Sequence, residues 1–232
     1  MKKKIVVLLP IKANSNRVPG KNFRDFCGKP LFRWILDTLL SVDAIDQIII
    51  NTDGLPLLEK YGLPNTERIT IRERKAEICG DDVSMNLILA DDIAQIDADI
   101  YLMTHTTNPL LSKETILKAI DNFTDAQSRG IADSLFTVNK IQARFYRADV
   151  SPINHALDNL IPTQNLEPWY EENSNLYIFT KKSFNRTMAR IGEKPMMLVT
   201  KAIESSDIDT PDDWDKAVIA TQYLIQKGLI TF

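Results

Sequence analysis

Residues 5–22 read IVVLLPIKANSNRVPGKN, and this stretch decides the fold. Its first part, 5–9, is an uninterrupted apolar run, which is typical of a central parallel strand that is covered on both faces. Its second part, 12–22, is a polar loop that carries three cations. In open α/β sheets, ligands bind beyond the carboxyl ends of the strands. A buried strand that leads into this loop therefore predicts both an α/β fold and the place of a binding site.

Helices and strands alternate along the rest of the chain. Pro30 suits a first helical position, because it lacks an N–H that a helix start would leave unpaired. Thr210, Pro211 and Asp213 form the start of the last helix, with an Asp version of the capping box. The alternation predicts a parallel or mostly parallel sheet. The predicted elements after the first strand are a helix from Pro30 to Leu40, a strand at 48–50, a helix at 84–96, a strand at 100–103, a helix from Ser112 to about Phe123, a strand at 134–138 and the helix from Thr210.

One segment, about 139–172, departs from this alternation. It is rich in Pro, Asn and Asp, and it carries the aromatic pairs 145–146 and 169–170. We expect it to be an excursion from a single domain that spans 1–232. Its aromatic side chains have no periodic core to join, so burial against a second copy of the chain is the natural outcome. The segment therefore predicts a homodimer.

Composition narrows the classes of partner. The net charge of −3 argues against a nucleic-acid polymer, although a local cluster of cations can still bind a small anion. Cys27 and Cys79 lie far apart without metal-ligand spacing, which favours two reduced thiols in a cytoplasmic protein. The first apolar run stops at Pro10 without a cleavage site, unlike a signal peptide, and no stretch approaches a membrane span. We therefore expect a cytoplasmic protein with no membrane partner.

The loop 12–22 has the chemistry of a triphosphate site. A triphosphate needs cations, backbone N–H groups and hydroxyls that converge without bulk. Lys12, Arg17 and Lys21 supply the cations, and small polar residues lie between them. A solvated surface loop with ordinary Lys and Arg content is the alternative, and composition alone leaves both interpretations open.

The order of residues in this loop resembles a known family. Residues 9–22 resemble the nucleotide loop of the acylneuraminate cytidylyltransferases, whose pattern is close to I-P-A-R-x-G-S-K-x-x-P-G-K-N, and residues 28–31 (GKPL) match the G-K-P-L that follows it. Lys12 stands where the family usually has Arg, which keeps the charge. Asn14 stands where the family usually has Gly, and it needs either a different local backbone or a left-handed conformation that Asn tolerates.

Five further segments resemble family motifs in the same order. Residues 51–53 (NTD), 74–81 (RKAEICGD), 107–110 (TNPL), 172–177 (ENSNLY) and 207–213 (DIDTPDD) resemble S-T-D, R-P-x-E-L-A-x-D, T-S-P-L, E-N-G-A-I-Y and D-I-D-T-P-x-D. The resemblance thus covers most of the chain. It implies a Rossmann-like, mostly parallel sheet flanked by helices, of the nucleotide-diphospho-sugar transferase type, with a small dimerisation excursion.

Asp207 and Asp209 form a candidate metal site. In an extended segment, residues two apart point to the same face. Two carboxylates repel each other unless a cation lies between them, and Mg²⁺ takes carboxylate and phosphate oxygens. Acidic residues that precede the N-terminus of a helix are the plainer interpretation. The family resemblance favours Mg²⁺.

The resemblance implies roles for further residues. Lys12, Arg17 and Lys21, with Asp209, would act on the phosphates, and His105 and Gln164 would bind the acceptor. His105 stands where the family commonly has Gln, and Thr163 stands where sialic-acid enzymes often have a basic residue. Ser15, Asn22, Arg74 and Ser84 would orient the nucleotide, with Arg74 preferred over Arg72 because it takes the motif position.

The function implied is transfer of CMP from CTP to a hydroxyl of an acidic, nonulosonic-acid-like sugar, with Mg²⁺ and release of pyrophosphate. Two alternatives remain. A sugar 1-phosphate nucleotidyltransferase would use UTP, GTP or dTTP, but its loop is usually richer in glycine. A nucleotide-binding module without catalysis would have less reason to carry Lys21 and both acids.

Overall fold

The computed structural model describes residues 2–230. Strands and helices alternate as the sequence predicts, although more strands are present than the sequence patterns indicate. The strands are β1 (Ile5–Ile11), β2 (Asp25–Phe26), β3 (Lys29–Pro30), β4 (Gln47–Thr52), β5 (Ile69–Glu73), β6 (Ile100–Met103), β7 (Ser134–Ile141), β8 (Trp169–Phe179) and β9 (Pro195–Val199). The helices are α1 (Leu31–Leu40), α2 (Leu55–Tyr61), α3 (Met85–Gln95), α4 (Lys113–Ser128), α5 (Lys181–Thr187) and α6 (Pro211–Gln226).

Seven of these strands form one sheet in the order β5-β4-β1-β6-β8-β7-β9. Strand β1 lies inside it and pairs in parallel with β4 and β6. Strand β8 is antiparallel to both of its neighbours, β6 and β7, while β4–β5 and β7–β9 are parallel. The predicted mostly parallel sheet is confirmed.

The sheet is covered on both faces, as the apolar β1 requires. All seven residues of β1 are buried. Val7 and Leu9 pack on the face that α1 and α4 cover, whereas Val6 and Leu8 pack on the opposite face with side chains of α3 and α5. Alternate residues of β1 thus enter two hydrophobic clusters, because successive side chains of a strand point to opposite faces.

A third cluster joins the polar loop 12–22 to α6. Val18 is buried there with Trp34, Ile208 and Trp214. The predicted N-terminus of α6 is confirmed: Thr210 caps it, Pro211 is in the first turn, and Asp213 completes the capping box. Because Val18 and Ile208 lie in one cluster, the loop and the 207–209 segment are held together.

The boundaries of two predicted elements are corrected. Helix α1 begins at Leu31, and Pro30 is its N-cap rather than its first helical residue. The excursion is shorter than 139–172, because residues 138–141 of β7 pair with residues 169–172 of β8. Residues 142–168 therefore form the protruding part, called the arm below. Each helix among residues 2–230 falls short of the length or the hydrophobicity that a membrane span requires.

Strand β8 carries an irregularity that shapes the site. Opposite β7, its register shifts between Phe136 and Val138. Ser174, in the bulged part of β8, has φ 55°, a left-handed conformation that costs a non-glycine residue about 1–2 kcal/mol. Bulges of this kind re-aim side chains, and Ser174 faces the cavity described next. The family motif that resembles 172–177 has Gly at this position.

Candidate active site

A cavity of about 520 Å³ lies at the carboxyl ends of β1 and β6. Most of its lining comes from three segments: the loop 12–22, called the first loop below, the segment after β6 and the segment before α6. This is where the sequence predicts the site, because the polar loop follows a buried central strand. The predicted residues that line it are Lys12, Ser15, Arg17, Lys21, Asn22, Arg74, His105, Asp207 and Asp209.

Two predicted residues lie outside this cavity. Ser84 caps α3 by accepting a hydrogen bond from the backbone N–H of Asn86 at 3.3 Å, and it lines a separate pocket of about 230 Å³. Gln164 lies in a 3₁₀ turn of the arm, where its carbonyl accepts a hydrogen bond from Gln142 at 2.9 Å. The structure therefore does not bring Ser84 or Gln164 to the other predicted residues.

Asn22 holds the first loop in place. Its Nδ2 donates to the carbonyl of Lys12 at 2.7 Å, and its Oδ1 accepts from the hydroxyl of Thr106 at 2.7 Å. The turn before it uses Gly20 at φ 63°, a conformation that glycine adopts without steric cost. Asn14, in contrast, does not adopt a positive φ, so the left-handed alternative for this position is wrong. Both ends of the Asn22 amide thus support the loop.

A cluster of charged side chains links the first loop to the 207–209 segment beside the cavity. It consists of Lys21, Arg17 and Asp209. Lys21 Nζ donates to the carbonyl of Ile208 at 2.5 Å and lies 3.3 Å from Asp209 Oδ1. Arg17 contacts the same carboxylate oxygen at 2.9 Å. The Lys21 side chain is only 11% exposed, whereas that of Arg17 is 64% exposed. The position of the Lys21 charge is therefore fixed by burial, whereas the exposed side chain of Arg17 can move toward a bound ligand.

Asp81 contacts the first loop as well and lines the cavity. The sequence patterns did not indicate it as a site residue. It accepts hydrogen bonds from Lys12 Nζ and Asn16 Nδ2. The hydrogen bond from Lys12 lowers the pKa of the Asp81 carboxyl. All three cations of the loop thus contact carboxylates, and phosphate oxygens of a ligand can replace these partners.

Arg74 is the buried cation at the inner end of the cavity. Its Nε donates to Asn51 Oδ1 at 2.8 Å, and one terminal nitrogen donates to the Asn51 carbonyl at 2.9 Å. Asn51 in turn donates to Asp92, which is fully buried, and burial raises the pKa of that carboxyl to about 6. Arg72 instead pairs with Asp91 and Asp92 and does not line the cavity. This placement supports the preference for Arg74.

The two carboxylates of the 207–209 segment face the cavity from either side of a buried residue. Ile208 is fully buried, which fixes the alternation. Asp207 Oδ1 is buried with no hydrogen-bond partner, and burial, with the charge of Asp209, raises the pKa of this carboxyl. Residues 2–230 hold no cluster of three or more His, Cys, Asp or Glu side chains arranged for a metal. The pair nevertheless fits Mg²⁺, which binds through one or two carboxylates and substrate phosphates.

His105 lines the same cavity as Lys21. Its Nε2 lies 3.3 Å from a terminal nitrogen of Arg190. Burial lowers the pKa of His105 to about 3, and the nearby charges of Arg190 and Lys21 act in the same direction. His105 is therefore neutral at pH 7. No sequence motif indicates Arg190 as a partner of His105, because 85 residues separate the two along the chain.

Most of the chain matches one known protein family. Residues 6–204 match the cytidylyltransferase family model. The chain belongs to the cytidylyltransferase family. Its cavity thus lies on a cytidylyltransferase fold, and the family resemblance of residues 9–22 is confirmed.

Relatives of this cytidylyltransferase extend over nearly the whole chain. A CMP-N,N'-diacetyllegionaminic acid synthase of Legionella pneumophila is 27% identical over 217 residues, which cover 91% of this chain and 93% of the relative. A pseudaminic acid cytidylyltransferase of Campylobacter jejuni is 25% identical and covers 93% and 95%. A CMP:2-keto-3-deoxy-manno-octonic acid synthetase complexed with CTP aligns with a TM-score of 0.67 at 15% identity, over 95% of this chain and 99% of that one. The last likeness supports the fold.

Proposed function

We propose that this cytidylyltransferase transfers CMP from CTP to a hydroxyl of a nonulosonic acid and releases pyrophosphate. The observation that carries the proposal is the convergence of Lys12, Arg17, Lys21 and Arg74 with Asp207 and Asp209 around one cavity. Cations suit a triphosphate, and the carboxylate pair suits the metal that accompanies it. A non-catalytic nucleotide-binding module would not need the carboxylate pair.

The chain's own side chains would position the reactants and stabilise charge. The acceptor oxygen bonds to the α-phosphorus of CTP while the bond to the pyrophosphate oxygen breaks, and the hydroxyl proton passes from the acceptor to water. Lys21, rigid and mostly buried, would meet the negative charge that develops on the phosphates. Arg17 and Lys12 would exchange Asp209 and Asp81 for phosphate oxygens. Arg74 would orient the nucleotide from the inner wall.

Asp207 and Asp209 would hold Mg²⁺. Mg²⁺, when bound, polarises phosphate oxygens and neutralises their charge. The partnerless Oδ1 of Asp207 supports this assignment, because a buried carboxylate oxygen without a donor is costly unless a ligand completes it. In the absence of CTP, ion pairs with Lys21 and Arg17 would hold the Asp209 carboxylate beside that of Asp207.

The acceptor proposed is a modified nonulosonic acid rather than N-acetylneuraminate itself. The relatives named for legionaminic and pseudaminic acids support this choice. His105, which lines the cavity, differs from the Gln that the family commonly has at this position. Thr163 also differs from the basic residue that sialic-acid enzymes often have, but it lies in the arm, outside the cavity, and adds no support here. A changed polar partner can redirect specificity about tenfold or more, since an unpaired buried polar group costs about 1–3 kcal/mol.

Pyrophosphate release tests the reaction and the acceptor together. With CTP, Mg²⁺ and a panel of nonulosonic and ulosonic acids, we expect release with at least one acid and the highest kcat/KM with a modified nonulosonate. UTP, GTP, ATP and dTTP in place of CTP should give much lower rates. Equal use of these nucleotides would contradict the cytidine assignment, and preference for deoxyoctulosonate would contradict only the acceptor.

We also propose that the arm mediates a homodimer. Between residues 142 and 168 the apolar side chains are unusually exposed: Leu157 is 61% exposed, Leu160 63% and Val150 75%. Phe145 stacks on Trp169 with ring centroids 4.8 Å apart, which packs the base of the arm against the start of β8. Apolar surface of this kind on an otherwise polar segment marks a protein contact.

Sedimentation velocity at micromolar concentration tests the homodimer. We expect a dimer for the wild-type chain and a monomer for the double variant Leu157→Glu, Leu160→Glu, because two charges would have to be buried in the contact. The double variant Ile131→Glu, Ile219→Glu is the matched control, since these side chains are 55% and 67% exposed outside the arm. A wild-type monomer, or a control that also dissociates, would refute the proposal.

A further inference from the structure

Arg190 is held beside the cavity by contacts with Tyr177, Glu172 and His105, and by a longer contact of 3.9 Å with the sulfur of Met103, although it follows α5 in an irregular segment. Its guanidinium lies 3.8 Å from the centroid of the Tyr177 ring. One terminal nitrogen lies 3.3 Å from Glu172 Oε1, and the other lies 3.3 Å from His105 Nε2. The side chain is 21% exposed. Stacking and an ion pair thus fix the planar guanidinium and aim one edge at His105.

The contact with Arg190 determines where His105 carries its proton. A guanidinium has five N–H donors and no acceptor, so Nε2 of His105 must be the acceptor. A neutral imidazole that accepts at Nε2 carries its proton on Nδ1. The lowered pKa of His105 agrees with this neutral form. Arg190 therefore selects one of the two tautomers of the ring.

The selected tautomer leaves a hydrogen-bond donor for a ligand. Among residues 2–230, Nδ1 of His105 has no hydrogen-bond partner, and the ring lines the cavity beside Thr106 and Ser174. The positive charges of Arg190 and Lys21 act on the ring, and the negative charge of Asp209 opposes them. An N–H donor that lines the cavity within the field of two cations suits a carboxylate oxygen.

We propose that Arg190 is a positioning residue of the acceptor subsite, which holds His105 so that its Nδ1–H donates to the carboxylate of the acidic sugar. This inference rests on the proposed function, since it takes the sugar acid to lie against His105. Arg190 itself acts through the imidazole. Glu172 and Tyr177 contribute by fixing the guanidinium, so their side chains belong to the same arrangement.

Steady-state kinetics test the role in acceptor binding. For Arg190→Met, we expect KM for the acidic sugar to rise about tenfold, while KM for CTP stays within about twofold. Arg190→Lys, which keeps a donor and a charge, should recover part of the loss. Arg186→Met is the matched control: this arginine pairs with Glu193 at 3.1 Å on the surface, and its kinetics should equal those of the wild type. Equal loss toward CTP and sugar would overturn the positioning role.

The tautomer can be measured without any substrate. The chain has two histidines, so ¹⁵N-histidine labelling in a His155→Gln background leaves the ring of His105 as the single signal. We expect the proton on Nδ1 in this background, and a shift toward the Nε2–H form when Arg190→Met is added. An Nε2–H ring that Arg190→Met does not change would overturn the inference. If no acid is accepted but the tautomer is as expected, the proposed function fails while the contact stands, and the carboxylate assignment falls with the function.

Discussion

Replacing Lys21 by methionine is expected to lower kcat/KM for CTP by about 10²- to 10³-fold, the effect of losing one preorganised transition-state contact. Lys21 is the mostly buried cation of the first loop, and its Nζ is fixed between the carbonyl of Ile208 and the carboxylate of Asp209. A cation fixed in this way pays no reorganisation cost when charge develops on the phosphates. Methionine keeps the length and apolar stem of the side chain, so the change removes mainly the charge.

Lys29→Met is the matched control for this prediction. Lys29 is also a mostly buried lysine, paired with Asp37 at 2.7 Å and lying 4.4 Å from the Trp34 ring centroid, but it does not line the cavity. We expect Lys29→Met to lower thermal stability and to leave kcat/KM for CTP within about twofold. Steady-state kinetics and a thermal melt of both variants separate the two effects. Unchanged kinetics for Lys21→Met would mean that the first loop does not bind the phosphates.

Most of the interior strands and the main helices could be predicted because their signals are local, although the antiparallel interior strand β8 was not predicted. The apolar run of β1, the caps Ser112 and Thr210 and the capping box of α6 each depend on a few neighbouring residues, and the structure confirms them. Strand β5 escaped prediction because it lies at the edge of the sheet, where only two of its five residues are apolar and none is buried. Strand β9, at the other edge, has one buried residue. Edge strands lack the apolar run that marks a buried strand.

Residues of the candidate site could be predicted where they lie close together in sequence, and not where their partners lie far away along the chain. The residues that face the cavity from the first loop and from 207–209 could be predicted, because each group lies within a short motif. Asp81 and Arg190 could not be assigned, since their contacts with Lys12 and His105 span 69 and 85 residues of sequence. Ser84 illustrates the opposite case, in which a motif position serves as a helix cap in this chain. Motif spacing predicts neighbours along a loop, whereas only the fold places residues of distant elements.

Asp209→Asn is expected to lower kcat by about 10²- to 10³-fold, with little change in thermal stability. Asn keeps the oxygen that accepts from Arg17 at 2.9 Å and lies 3.3 Å from Lys21, so the segment should retain its position. What disappears is the negative charge that we propose for Mg²⁺. The Mg²⁺ concentration at half-maximal rate should therefore rise together with the fall in kcat, and a Mg²⁺ titration at saturating CTP and acceptor measures both.

Asp212→Asn makes the same change of charge three residues away and is the control for Asp209→Asn. Asp212 is exposed in the first turn of α6 and does not line the cavity. Any general effect of charge near this helix start should appear in both variants, since the field of a helix N-terminus extends over its first turn. A loss confined to Asp209→Asn, with a raised Mg²⁺ requirement, would therefore locate the effect at the carboxylate that faces the cavity. Activity of Asp209→Asn within about threefold of the wild type would instead remove Asp209 from the reaction and leave the Asp207 carboxylate as the candidate ligand of the pair.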